Sequence, residues 1–257
     1  MSRSEDPSHY PAGFFAGFLA ATAFFTRLPV DPRLGEWRLA DSGWTFPLVG
    51  AGIGGAAAFA LLVAQLIGLA SWPAALLSVL GGIALTGALH EDGLADTADG
   101  FCGGRDREEK LKILRDSRQG TYGVLAIVLS LLLRAAALAG IGDVIHGGLA
   151  LIAAHAASRA ALPAAMMRLT PARPDGLGAM AGTPSAGGAI AAALIGAAIA
   201  LAALGPMRGV IALCLAGVIV FATAELARSQ IGGYTGDVLG AFQQVAEIVI
   251  LLAASAR

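Results

Sequence analysis

Apolar runs on the scale of a lipid bilayer dominate this chain and leave few architectures open. After a polar start over residues 1–11, such runs cover 12–26, 45–70, 72–89, 122–145, 147–167, 186–205, 209–227 and 238–254. A hydrocarbon core roughly 30 Å thick takes about 20 apolar residues in helical form. Within it every backbone amide and carbonyl must find a partner inside the element, which a helix achieves and an open strand does not. Only 14% of the residues are charged, against roughly 25% in soluble domains. The expected fold is therefore all-α, a multi-pass integral membrane helical bundle of about seven to eight membrane helices. The run at 12–26 is the short one. It has 15 residues and is stopped by Arg27, so it spans with difficulty, lies in the interface or re-enters.

Other features narrow the class. A net charge of -1 provides no basic field, so nucleic acid is not an expected partner. Cys102 and Cys214 stand in unrelated contexts and suggest neither a disulfide framework nor a zinc site. No signal peptide is evident at the start, and no polar linker divides the chain, which reads as a single membrane domain over 1–257. Gly50, Gly52, Gly54 and Gly55 come without the Lys and strand context of a phosphate loop. They read as small-residue surfaces for close helix packing.

Charge placement sets the topology. If each run spans, the polar stretches 27–44, 90–121, 168–185 and 228–237 share one side and carry 3, 6, 2 and 1 Lys or Arg residues; the other side has Arg3, Arg208 and Arg257. Basic residues accumulate on the cytoplasmic side. The first side is thus expected to face the cytoplasm, and the stretch 27–44, with two tryptophans, to be an interfacial loop. Ionisable residues within spans, Arg134, His155, Arg159, Glu225 and Glu247, are expensive in lipid and face a bundle interior or a substrate. An Arg134–Glu247 pair locking helices and a substrate contact are both open, with Arg159 and Arg168 the better placed for substrate.

Polar chemistry is concentrated at 90–123, a cytoplasmic acidic and basic segment holding 6 of the 17 Lys and Arg and 8 of the 18 Asp and Glu residues. Asp92, Asp96 and Asp99 follow i, i+4, i+7 spacing, which puts three carboxylates on one helix face. An oxygen-rich set suits Mg²⁺, Mn²⁺ or Ca²⁺, and Mg²⁺ is commonly held by one or two carboxylates together with substrate phosphates. The competing reading is a solvated acidic loop. Lys110, Lys112, Arg115 and Arg118 then supply cations among Leu111, Ile113 and Leu114, fitting either an anion clamp or an amphipathic helix on the membrane surface. Asp116 to Gly123 ends the segment with an acid, an Arg and two glycines, suited to a bound phosphate or to a plain helix end and turn.

The runs Gly87-Ala-Leu-His-Glu-Asp-Gly-Leu-Ala-Asp-Thr-Ala-Asp-Gly100 and Asp116-Ser-Arg-x-Gly-x-x-Gly123 resemble the cobalamin synthase family, the adenosylcobinamide-GDP ribazoletransferases. So do Phe24-Phe-Thr-Arg-Leu-Pro-Val30, Phe46-Pro-Leu-Val-Gly50 and Gly233-Tyr-Thr-Gly-Asp-Val-Leu-Gly-Ala241. Glu91 departs from the family pattern, where an apolar residue is expected. The aspartate row is more loosely similar to that of membrane CDP-alcohol phosphotransferases.

The resemblance implies a phosphotransferase of the cytoplasmic (inner) membrane that acts late in coenzyme B12 assembly, with its site on the cytoplasmic face. Its implied partners are adenosylcobinamide-GDP, α-ribazole or its 5′-phosphate, and the lipid bilayer; a homo-oligomer stays open. A ribose hydroxyl attacks the phosphorus nearer the cobinamide and displaces GMP, with Mg²⁺ as cofactor. Spacing and resemblance together assign the metal to Asp92, Asp96 and Asp99, and catalysis to these residues and His90, with His90 or an aspartate as base. Substrate binding falls to Lys112, Arg115, Asp116, Arg118, Thr235 and Asp237. The alternative from another class is a multi-pass transporter; a purely structural subunit leaves the aspartates unexplained.

Overall fold

Helix starts coincide with side chains able to cap them. Asp106, Asp143, Ser185 and Thr235 each accept a backbone amide from the first turn of the helix that follows, satisfying donors that have no partner within the helix. The computed structural model describes residues 14–30 and 39–256; the readings made for residues 1–11 and for Arg33 and Arg38 lie outside them. The helices are α1 (Phe14–Phe25), α2 (Phe46–Leu66, entered through 3-10 turns at Leu39–Thr45), α3 (Ser71–Thr86), α4 (Leu89–Gly103), α5 (Arg107–Ile113), α6 (Thr121–Ile141), α7 (Val144–Ala160), α8 (Leu162–Arg168), α9 (Leu177–Met180), α10 (Ala186–Leu204), α11 (Pro206–Ile231) and α12 (Gly236–Ser255).

Among the described residues six helical segments are long and apolar enough to cross a membrane, and α3 with α4, bent by 92°, forms a broken span or a re-entrant pair. The chain is a multi-pass membrane protein. At 12 residues and about 1.5 Å per residue, α1 is about 18 Å long, short of a hydrocarbon core of roughly 30 Å. Leu76, Leu80, Leu125, Leu129, Ile190, Leu194, Val218 and Phe221 point outward, the arrangement lipid selects.

The centre of the bundle is α7 and α12. Small residues make it so: Ala150, Ala153, Ala154, Ala156 and Ala157 on α7 are buried. A Cβ on Gly50 or Gly54 of α2 would stand 2.2 or 2.6 Å from the carbonyl oxygens of His155 and Leu151, so these two glycines permit the closest helix approach in the bundle's interior. Gly52 and Gly55 meet nothing within 4 Å; only half of that glycine cluster serves packing.

Two expectations are corrected. Residues 39–45, read as the end of an interfacial loop, are helical, with Ala40, Ser42, Gly43 and Thr45 buried. The segment beginning at His90 is not a surface excursion: α4 turns from α3 back along α6 and α12, and its first turn buries His90 and Glu91. Hydropathy missed this because a helix that buries carboxylates against paired arginines looks like a polar loop. The corner is Gly87-Ala88, both left-handed at φ 66° and 58°. That conformation costs Ala88 about 1–2 kcal/mol, and a Cβ at Gly87 would collide with the Arg27 side chain laid over it.

Candidate active site

Helix α4 carries the acids on the predicted face, and tertiary contacts divide them. Asp92, Asp96 and Asp237, the last at the start of α12, are close enough for their carboxylate charges to act on one another. Neither Asp92 nor Asp96 enters an ion pair among the described residues, whereas Asp237 has Arg173 at 3.6 Å. Gly93 makes the approach feasible: a Cβ there would sit 2.7 Å from the Asp237 carbonyl oxygen. Gly93→Ala is expected to push α4 from α12 and lower turnover by about 10²-fold, seen as a fall in kcat with unchanged membrane insertion; wild-type kcat would show that this spacing is immaterial.

Asp99 has other partners. Its two oxygens accept the backbone amides of Gly120 (2.7 Å) and Gly123 (2.9 Å), so it caps α6 from a neighbouring helix. The spacing that aligned it with Asp92 and Asp96 carries no sign of this. Gly120 and Gly123, read as room for a bound phosphate or as a plain helix end and turn, lie at the start of α6 and make room for Asp99, since a Cβ on either would come within 2.5 Å of its carboxylate. Asp99→Ala strands two amides and is expected to cost about 1–3 kcal/mol, measurable as a lower thermal midpoint in detergent; unchanged stability with abolished activity would return Asp99 to the catalytic set.

His90 is 3% exposed. Its ring stacks on Phe25 at 5.7 Å between centroids, and its Nε2 is buried with no hydrogen-bond partner. It lines a cavity of about 190 Å³ together with Phe24, Phe25, Phe46, Leu162, Met166, Asp92, Arg173 and Asp237. Sequence reading missed Arg173, visible only as a lone cation in a Pro/Gly loop on the cytoplasmic-side count. Tyr234 holds that loop, through backbone hydrogen bonds with Thr170 and Ala172. Asp92 also borders a second, larger groove of about 570 Å³ between α3 and α6.

The basic arm is tied down rather than free. Arg107 donates to the carbonyls of Ile231 (2.9 Å) and Ala172 (2.6 Å), a cation at the C-terminal end of α11, and Lys110 bonds Gln230. Arg115 pairs with Asp175 at 2.6 Å. Arg118 and Asp116 pair with each other at 2.6 Å; the bonds donated by Arg118 hold the Asp116 carboxyl down to about 2. Lys112 is exposed, and Thr235 caps α12 while donating to Asp237. Among the described residues no group of three or more His, Cys, Asp or Glu side chains forms a ready-made metal site.

A model of the cobalamin-5-phosphate synthase family matches residues 17–255. The chain belongs to that family. It is 49% identical to a Bradyrhizobium diazoefficiens protein over 92% of each chain and 48% identical to one from Mesorhizobium japonicum over 90% of each. A third relative, from Azorhizobium caulinodans, is 46% identical over 91% of this chain and 92% of its own. All three are named adenosylcobinamide-GDP ribazoletransferase. No solved structure matches the chain.

Below this surface lies a polar network. Arg134 bonds Glu91 at 3.0 Å and Glu247 at 3.1 Å. Glu247 also meets His155 at 3.1 Å, with Gln243 and Arg159 beside it, and Gln244 donates to Glu91. The Arg134–Glu247 lock is therefore present, and Glu91, the departure from the family pattern, is its third member. Arg159, weighed as a substrate contact, is buried against His155 and Phe25; Arg168 is engaged by Glu225 and Phe221.

Proposed function

We propose that this membrane transferase joins adenosylcobinamide-GDP to α-ribazole or its 5′-phosphate and releases GMP. One observation carries the reading: Asp92 on α4 and Asp237 on α12 line one cavity, and Asp96 lies close enough to both to feel their charge. A ribose hydroxyl forms a bond to the phosphorus nearer the cobinamide. The bond from that phosphorus to the oxygen bridging toward the guanosine phosphate breaks, GMP leaves with that oxygen, and the hydroxyl proton passes to a base. Asp92, the carboxylate shared by both cavities, is the best-placed base, with His90 the other candidate.

The donor set fits Mg²⁺: carboxylate oxygens in mutual repulsion, with space for substrate phosphate oxygens to complete the shell. One or two of Asp92, Asp96 and Asp237, together with substrate phosphate oxygens, would hold the ion, which when bound supplies charge neutralisation at the transferring phosphate. Arg173 holds Asp237 in place and offers a second cation to the phosphates. Lys112, Arg115 and Arg118 ring the same face, where their surface pairs are weak enough to exchange for phosphate.

The excess of Lys and Arg in the loops on this side, 12 against Arg208 and Arg257 with Arg3 on whichever side α1 begins, supports a cytoplasmic-facing site in the inner membrane. The test is GMP release by purified protein in lipid with both substrates and Mg²⁺. Release that needs both substrates and stops with chelator supports the assignment; no release sinks it. The family gives the transporter reading no support.

A further inference from the structure

We propose that the 190 Å³ cavity beside Asp92 is the subsite for the aromatic base of the acceptor nucleoside, an inference that rests on the transferase reading above. Three moieties compete for it: the corrinoid macrocycle, the guanine of the leaving nucleotide, and the acceptor's benzimidazole-type base. Size removes the first. The cavity has the liquid volume of about six waters, at roughly 30 Å³ each, enough for a fused two-ring base and far short of a macrocycle.

Polarity removes the second. The walls are Phe25, Phe46, Leu162 and Met166, all buried. Guanine has donors and acceptors around its edge, and in such walls most would be stranded at a cost of order 1–3 kcal/mol each. A benzimidazole has few polar atoms. Among the lining residues two side-chain atoms, the His90 Nε2 and the Arg173 Nη1, are buried without a partner, few enough for a base with few polar atoms. The His90 ring lies within 16° of parallel to Phe25, which holds its plane at the cavity wall.

The remaining polar groups sit at the rim. Asp92 is exposed, and the side chains of Arg173 and Asp237 are 17% and 25% exposed. A nucleoside entering base first leaves its ribose among them. Asp92 also borders the 570 Å³ groove on its other side, so the small cavity and the large groove meet at one carboxylate. In-line transfer needs the entering and leaving oxygens on opposite sides of the phosphorus, and this pairing of spaces gives the smaller reactant the smaller room.

The test uses full-length protein in lipid nanodiscs, with KM for α-ribazole and for adenosylcobinamide-GDP measured separately from GMP release, and binding of labelled α-ribazole measured without donor. Met166→Trp fills the cavity. It is expected to raise the acceptor KM and Kd about tenfold or more, with a smaller rise for an analogue lacking the ring methyls, while the donor KM stays within about twofold. Leu162→Ala enlarges it and is expected to shift preference toward a bulkier base. Wild-type turnover with an acceptor KM, Kd and base preference that neither variant moves would overturn the subsite, as would a rise confined to the donor KM; a lipid chain filling the cavity would give the former result. A wild type that releases no GMP would fail the transferase reading instead.

Discussion

Asp96→Asn is expected to abolish GMP release, by about 10³-fold or more, while leaving the protein at least as stable as wild type. Both halves follow from its surroundings. Asp96 feels the charge of Asp92, Asp237 and Asp99, and its side chain accepts, among the described residues, one hydrogen bond, from Gln119 at 3.3 Å. Asn keeps the shape and an acceptor for that bond and removes one of the charges that repel. The folded state is therefore not penalised. The transferring phosphate, in contrast, loses a member of the set that gathers positive charge around it, and removal of one well-placed electrostatic group costs about 10²–10³ in rate. Turnover per folded protein, with a thermal midpoint in detergent, separates the effects. Retained turnover would remove Asp96 from the site, and a lowered midpoint would show that the carboxylate serves the fold.

Arg134→Leu is expected to have the opposite profile, a failure of stability before a failure of chemistry. The guanidinium is buried between Glu91 and Glu247. Deleting it leaves Glu91 with a Gln244 hydrogen bond and no cation, whereas Glu247 keeps His155 and Arg159. Breaking a buried pair costs about 3–5 kcal/mol, a large part of a total stability of about 5–15 kcal/mol. The double variant Arg134→Leu/Glu91→Gln removes the stranded charge and is expected to recover most of the loss. Thermal unfolding of both singles and the double closes the cycle. A stable single variant, or a double no better than the single, would mean that this pair does not lock α4 to α6.

The two variants also separate what the residue pattern could disclose from what it could not. Lipid-scale apolar runs declare a helical membrane bundle because the bilayer permits little else. The i, i+4, i+7 spacing placed three aspartates on one helix face correctly, because helical period is a local property. It could not show that Asp99 turns to the amides of Gly120 and Gly123 while Asp92 and Asp96 lie within reach of the charge on Asp237. Those partners come from α6 and α12, 21 to 145 residues away. The same limit hid Arg173, which lies between Pro171 and Pro174 in a loop, and Arg107, which reads as one more cation of an amphipathic stretch yet caps α11. Glycine was ambiguous for the same reason: Gly50 and Gly54 touch α7 while Gly52 and Gly55 touch nothing, and only the approach of a second helix distinguishes them.

By itself, then, the sequence determined the membrane class and the aspartate row on which the chemistry is proposed to run, since each depends on composition or on spacing within one helix. Tertiary structure alone decided that His90 and Glu91 lie inside the bundle and which acids face one another. It also decided that an aromatic cavity opens beside them, because each of these depends on how closely α4 can approach α6 and α12, and on the glycines and buried ion pairs that hold it there.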